Sequence, residues 1–134
     1  MRSPTKIRSP HGATLIEMSI VICVLLALMS TGLYFGSKIS EWQAAKEAAE
    51  HLRGVYAAQR MYLADHPTTP VANLVDNDII PYLPNNPGVM PTILSSKKEA
   101  LGINITVSPP TLTLAGEVYD PSGSANDSLW DVGE

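Results

Sequence analysis

This chain has little of what small self-contained domains and reactive sites are built from. It holds one cysteine, Cys23, in 134 residues. No internal disulfide is possible, and no Cys/His cluster stands at metal-ligand spacing, so a disulfide scaffold and a zinc module are excluded. Basic residues are few, nine against 13 acidic ones for a formal net charge of −4, so the chain as a whole has no nucleic-acid footprint. A glycine-rich phosphate loop, a GxSxG elbow and a pair of histidines at ligand spacing are all missing, and no catalytic residue is expected. His11, His51 and His66 are scattered over an N-terminal leader, a helix face and a helix end. The length fits one small domain.

The average charge hides an asymmetry. Residues 1–12, MRSPTKIRSPHG, carry Arg2, Lys6 and Arg8 without an acid, and two prolines oppose a helix there. Removing this piece leaves six basic against 13 acidic side chains, a formal charge of −7. From Ala13 to Gly36 the chain is strongly apolar, and Met18 to Phe35 contains no charged side chain in 18 consecutive residues. As a helix at about 1.5 Å per residue that run spans a bilayer core with help from its flanks. The cations on its N-terminal side place the leader in the cytoplasm and the bulk of the chain across the membrane.

Glu17 is the odd residue, about one turn inside the apolar run. A carboxylate in a membrane helix costs on the order of 2–3 kcal/mol, which asks for a cation unless the residue lies at headgroup level. The N-terminus admits three readings. A secretory signal has this basic region and apolar stretch, and Ser30-Thr31-Gly32 offers a small-residue cleavage site, but the apolar run continues through Leu33, Tyr34 and Phe35 and Glu17 goes unexplained. A lipoprotein signal needs a small residue before the cysteine, where Ile22 stands. The third reading takes Gly12 as the processing point.

On that reading Gly12-Ala13-Thr14-Leu15-Ile16-Glu17-Met18 resembles the type III signal of type IV pilins and type II secretion pseudopilins. That pattern has a short basic leader, a glycine, a Thr-Leu-hydrophobic-Glu run and a long apolar stretch. Ala13 departs from the usual Phe or Met at the first mature position. The resemblance implies that a prepilin peptidase cuts between Gly12 and Ala13 on the cytoplasmic side and that Ala13 becomes N-methylated. It also implies that Glu17 faces the freed amino group of a neighbouring subunit. Cleavage would thus create the cation that Glu17 asks for, and the pair would fix axial register between helices.

Beyond Gly36 the chain turns amphipathic. Ile39, Trp42, Ala45, Ala49, Leu52, Tyr56 and Leu63 recur at three- and four-residue steps, with a gap at Gln59, which is helical spacing. Glu41, Lys46, Glu47, Glu50, Arg53 and Arg60 fall on other faces and read as a solvated surface, with Lys46 and Glu50 a candidate i,i+4 pair. The pattern ends at Ala64-Asp65-His66-Pro67, giving a helix over 13–63 that measures roughly 75 Å if unbroken. Ser30, Gly32 and Gly36 are places where it would loosen, since glycine costs about 1 kcal/mol against alanine in a helix.

Residues 67–134 are rich in proline. Asp76 to Ile80 reads as a short helix stopping near Pro81 to Pro84. Ile103, Ile105 and Val107 alternate with polar residues, and Leu112 and Leu114 repeat the alternation after Pro109-Pro110, which reads as two antiparallel strands with Glu117 to Tyr119 extending the sheet. About 70 residues without a disulfide have little core of their own, so the amphipathic helix must supply the second layer. The resemblance adds a calcium loop found in major pseudopilins, for which Asp120, Ser122, Asn126 and Asp127 offer oxygen ligands. The same composition makes a solvated turn, and no other cofactor is expected. Asn104-Ile-Thr106 and Asn126-Asp-Ser128 match the glycosylation sequon, a short and common pattern.

The expected organisation is a cleaved leader (1–12), a transmembrane and polymerisation helix (13–36), its amphipathic continuation (37–66) and a small headgroup (67–134). The fold class is α+β, a long N-terminal helix packed on a small antiparallel sheet, pilin-like in arrangement. The expected function is a structural subunit of a type IV pilus or type II secretion pseudopilus. Its expected location is the bacterial inner membrane, N-terminus cytoplasmic and headgroup periplasmic, before it enters a periplasmic or extracellular filament. Its partners would be prepilin peptidase, other pilin or pseudopilin subunits, an inner-membrane assembly platform and the membrane itself. The alternatives are a minor tip pseudopilin that primes assembly and an uncleaved, single-pass anchored periplasmic binding module.

Overall fold

The computed structural model describes residues 14–133. Gly12 and Ala13, and with them the expected cleavage point, lie outside the described residues. The first element, α1, runs Thr14–Asp65. No proline occurs between Pro10 and Pro67, so nothing in that stretch removes a backbone donor. The helix stops two residues before Pro67, with the His66 N–H bonded to the Tyr62 carbonyl at 2.9 Å. It continues two residues beyond the expected end at Leu63 because backbone bonding persists after the apolar pattern has ceased. Gly32 and Gly36 do not interrupt it. Beyond the chain neighbours and the helix's own backbone, no atom of the described residues lies within 4 Å of the place a Cβ would occupy at either residue.

The chain divides at Lys38/Ile39 into two compact units. In the first, every described residue is helical and exposed. The second contains the rest of α1 and a small mixed cap. After α1 come a 3-10 turn (Val71–Asn73), α2 (Asp76–Ile79) and a second 3-10 turn (Ile80–Tyr82). The start of α2 is fixed by Asp78, whose Oδ2 accepts from the Val75 N–H at 3.2 Å while its own N–H donates to the Val75 carbonyl at 2.9 Å. The second 3-10 turn takes Pro81 into its start and ends before Leu83, which is extended ahead of Pro84.

Four short strands follow, β1 (Ile93–Leu94), β2 (Ala100–Asn104), β3 (Thr111–Leu114) and β4 (Glu117–Val118), paired antiparallel in the order β1-β2-β3-β4. The fold is therefore α+β. The β2 strand starts three residues before the expected Ile103 and ends at Asn104, because Asn104 Oδ1 accepts from the Thr106 N–H at 3.1 Å and the Thr106 hydroxyl at 2.6 Å. This side-chain turn takes the backbone out of the ladder, so Ile105 and Val107 are not strand residues. Between β3 and β4, Ala115 (φ 54°) and Gly116 (φ 90°) form a two-residue turn with both residues left-handed, the geometry that a tight hairpin requires.

Pairing Ile93 with Leu101 and Ile103 with Leu112 places the apolar side chains of the sheet on one face. That face packs on α1. One cluster joins Ala45, Ala48 and Leu52 to Ile93, Leu101, Leu112 and Trp130. A second joins Val55 and Ala58 to Leu74, Ile79, Leu83 and Ile105. Leu52 and Val55 are wholly buried, worth about 1.5–3 kcal/mol each. The observed stripe differs from the expected one at its N-terminal end. Ile39 and Trp42 are 56% and 51% exposed, since the cap first meets α1 near Ala44 and Ala45.

Candidate functional site

The first candidate is the apolar part of α1. Leu15, Ile16 and the large apolar residues from Met18 to Phe35 are all exposed, Leu15 and Leu33 at 87% and 78%. It is the one helix, among the described residues, that is long and apolar enough to cross a membrane, and none of its apolar span is buried within the chain. The serine and threonine hydroxyls from Ser19 to Ser37 are served by the helix itself. Ser19 donates to the Ile16 carbonyl at 2.8 Å, Ser30 to Leu26 at 2.8 Å, Thr31 to Leu28 at 2.9 Å, and Ser37 to Tyr34 at 2.9 Å. Backbone and hydroxyl groups satisfied in this way need no water, the condition a lipid or helix-packed environment imposes.

Glu17 is the exception. It lies in the first turn of α1 and is exposed, and among the described residues no hydrogen bond or ion pair engages it. A first-turn carboxylate gains modestly from the helix dipole. That gain is a fraction of the cost of carrying the charge into hydrocarbon. Cys23 is exposed on the same segment.

The second candidate, the loop expected to offer calcium ligands, is tied up internally. Asp120 Oδ1 accepts from the Ser122 N–H at 3.1 Å and the Ser122 hydroxyl at 2.7 Å. Asp127 Oδ1 accepts from the Leu129 N–H at 2.9 Å. Among the described residues no three His, Cys, Asp or Glu side chains stand close enough to hold a metal ion. Of the expected ligands Asp120, Ser122, Asn126 and Asp127, the Oδ1 atoms of Asp120 and Asp127 serve turns. The orphaned oxygen in this region belongs to Asp131. Its Oδ1 accepts from the Ser128 and Gly133 N–H groups, and its Oδ2 is buried without a partner among the described residues. Desolvation, helped by the nearby Asp127 charge, raises the Asp131 carboxyl above its ordinary value, against the lowering effect of the Gly133, Ser128 and Asp127 backbone N–H groups.

Two polar residues of α1 that read as surface or as a gap turn out to hold the cap. Arg53 donates from Nε to the Val132 carbonyl at 2.8 Å and from Nη2 to the Ser128 hydroxyl at 2.6 Å. Together with the Trp130 N–H on the Ala45 carbonyl at 3.3 Å, this fastens the C-terminal loop to α1. Gln59 is wholly buried. Its Nε2 donates to the Ile105 and Val107 carbonyls, each at 2.8 Å. These are the carbonyls released where β2 ends. Lys46 does not pair with Glu50 but lies over Trp42, Nζ to ring centroid 4.8 Å. At the far end of α1, Tyr62 stacks on His66 and meets Tyr82 edge-on. The Tyr82 hydroxyl donates to Asp65 at 2.8 Å, and that bond raises its pKa.

Comparison with protein-family models, with curated proteins and with solved structures yields no match for this chain.

Proposed function

We propose that the chain is a structural subunit of a membrane-derived filament, a type IV pilus or a type II secretion pseudopilus. In this reading it is made as an inner-membrane precursor, cut between Gly12 and Ala13 by a prepilin peptidase and polymerised through α1. The observation that carries the reading is the apolar half of α1. It is exposed along its whole length, its serine and threonine hydroxyls from Ser19 onward are satisfied internally, and one carboxylate interrupts it at Glu17.

A signal sequence or a plain anchor has no use for that carboxylate. A helix that leaves lipid to pack among copies of itself does. Lipid tails and apolar side chains are equally apolar, so the transfer gains little hydrophobic energy and leaves orientation to packing and polar pairs. The Glu17 carboxylate and the Ala13 amine of a neighbouring copy would supply such a pair, and the cost of an unpaired charge would penalise every other register. The compact unit beyond Lys38 then forms the filament surface. Its acidic balance keeps that surface soluble.

Mass spectrometry of the protein from its native host tests this. A chain beginning at N-methylated Ala13 is expected, and an intact Met1 or a start near Leu33 would overturn the reading. Glu17→Ala is expected to be cleaved normally and to be lost from filaments. Filaments of ordinary yield from that variant would remove the register role.

A further inference from the structure

The two flanks of α1 in the second unit differ in charge, one led by Glu41 and Glu47 and the other by Lys46, Arg53 and Arg60. On one side a groove runs between the helix and the 84–98 segment. A hollow of about 290 Å³ lies between Glu41, Glu47 and His51 on α1 and Leu94 and Lys98 opposite. It adjoins a second of about 510 Å³ edged by Glu50 and His51 and floored by Pro84, Val89 and Met90. Glu41 and Glu47 thus face one lysine, above exposed apolar surface at Val89 and Leu94, and Glu50 stands on the crest between the two flanks.

The opposite flank carries Lys46, Arg53 and Arg60, seven residues apart and hence within about 40° of one another around the helix. None of the three has a carboxylate within ion-pair distance among the described residues. Each is held by something else: Lys46 by the Trp42 ring, Arg53 by the C-terminal loop, and Arg60 by Tyr56, with Cζ 5.8 Å from the ring centroid. Glu50 and Asp127 edge the hollow beside Lys46 and Arg53. Arg60 lies beyond it and is the cation left clear.

We propose that these flanks are the two halves of one contact between copies of this chain, the Arg60 flank of one copy lying along the Glu47 wall of the groove in the next. The inference rests on the filament reading and adds to it the surface by which the second units meet. Two different, complementary patches on one molecule make a head-to-tail contact, which propagates into an open polymer where a self-complementary patch would stop at a dimer. Exposed ion pairs add little affinity, so their work here is to select the neighbour's orientation and reject the reverse one.

The test uses the full chain in its native host. Glu47→Lys and Arg60→Glu, each alone, are expected to lower the sedimentable filament fraction about tenfold. The double exchange is expected to restore it, because swapping both signs returns an attractive pair to the same contact. Both side chains are exposed, and an unchanged thermal midpoint in detergent for each variant separates assembly from folding. In a Cys23→Ser background, Glu47→Cys with Arg60→Cys is expected to give a ladder of disulfide-linked multimers. Sedimentable wild-type polymer without that ladder, or single exchanges without effect, overturns the contact and leaves the filament reading standing. No sedimentable wild-type polymer overturns both.

Discussion

Replacing Gln59 is the most direct probe of how the cap is held on α1. Its Nε2 satisfies two carbonyls from inside the core, and its Oε1 has no partner among the described residues. Gln59→Leu keeps the volume, removes the orphaned oxygen and strands both carbonyls. Leaving a buried acceptor unpaired costs about 1–3 kcal/mol, so two cost about 2–6; removing the orphaned oxygen returns about 1, and the net loss is about 1–5 kcal/mol. For a unit of roughly 95 residues each kcal/mol lowers the melting midpoint by about 4–8 °C, so the variant is expected to melt at least about 4 °C below wild type.

Gln59→Glu is the sharper variant. An ionised carboxylate has no hydrogen to donate and faces two carbonyl oxygens, so it is expected to be worse than leucine at pH 7. A buried glutamate has its folded-state pKa raised, so its penalty is full above that pKa and shrinks as the pH falls through it, when the new O–H donates to one carbonyl. Melting of the full chain in detergent, followed by far-ultraviolet circular dichroism at pH 7 and pH 5, measures both effects. A Gln59→Leu midpoint within about 2 °C of wild type, or a Gln59→Glu variant no worse than leucine at pH 7, would refute the clamp.

Two further outcomes follow from the C-terminal loop. Arg53→Ala removes two hydrogen bonds made at the surface and is expected to cost about 1 kcal/mol, seen as faster amide exchange over 128–133 while the centre of α1 stays protected. The Asp131 carboxyl is raised by desolvation, so the folded state binds its proton more tightly than the unfolded state does. Its contribution is therefore most favourable below the unfolded pKa and is lost as pH rises through the folded one. Asp131→Asn should be more stable than wild type at pH 7 and lose that advantage as pH falls through the carboxylate range. An advantage constant with pH would contradict the buried carboxylate.

The helix was legible because its signals are local. Uninterrupted apolar residues, three- and four-residue spacing and Pro67 act within a few turns of one another. The short helix before Pro81 and the alternation at Leu112 and Leu114 belong to the same kind. What could not be read depends on partners far along the chain. Ile39 and Trp42 have the right spacing for a core stripe yet stay exposed, because the cap does not extend over them. Gln59 interrupts the apolar pattern and is nevertheless core, because two carbonyls from 105–107 need its amide. Arg53 looks like any solvated cation until the C-terminal loop arrives beside it. The strand at Ile93–Leu94 is too short to leave a period.

By itself the sequence determined a basic leader, an apolar stem with a single carboxylate at Glu17 and an acidic remainder whose helix is half-apolar, since charge and periodicity are properties of neighbouring residues. Only the tertiary structure decided which polar side chains of that helix are structural. A side chain's role as clamp, filler or free surface is set by what packs against it, and for Gln59, Arg53 and Asp131 that is chain from dozens of residues away or the turn of a loop that only packing holds in place.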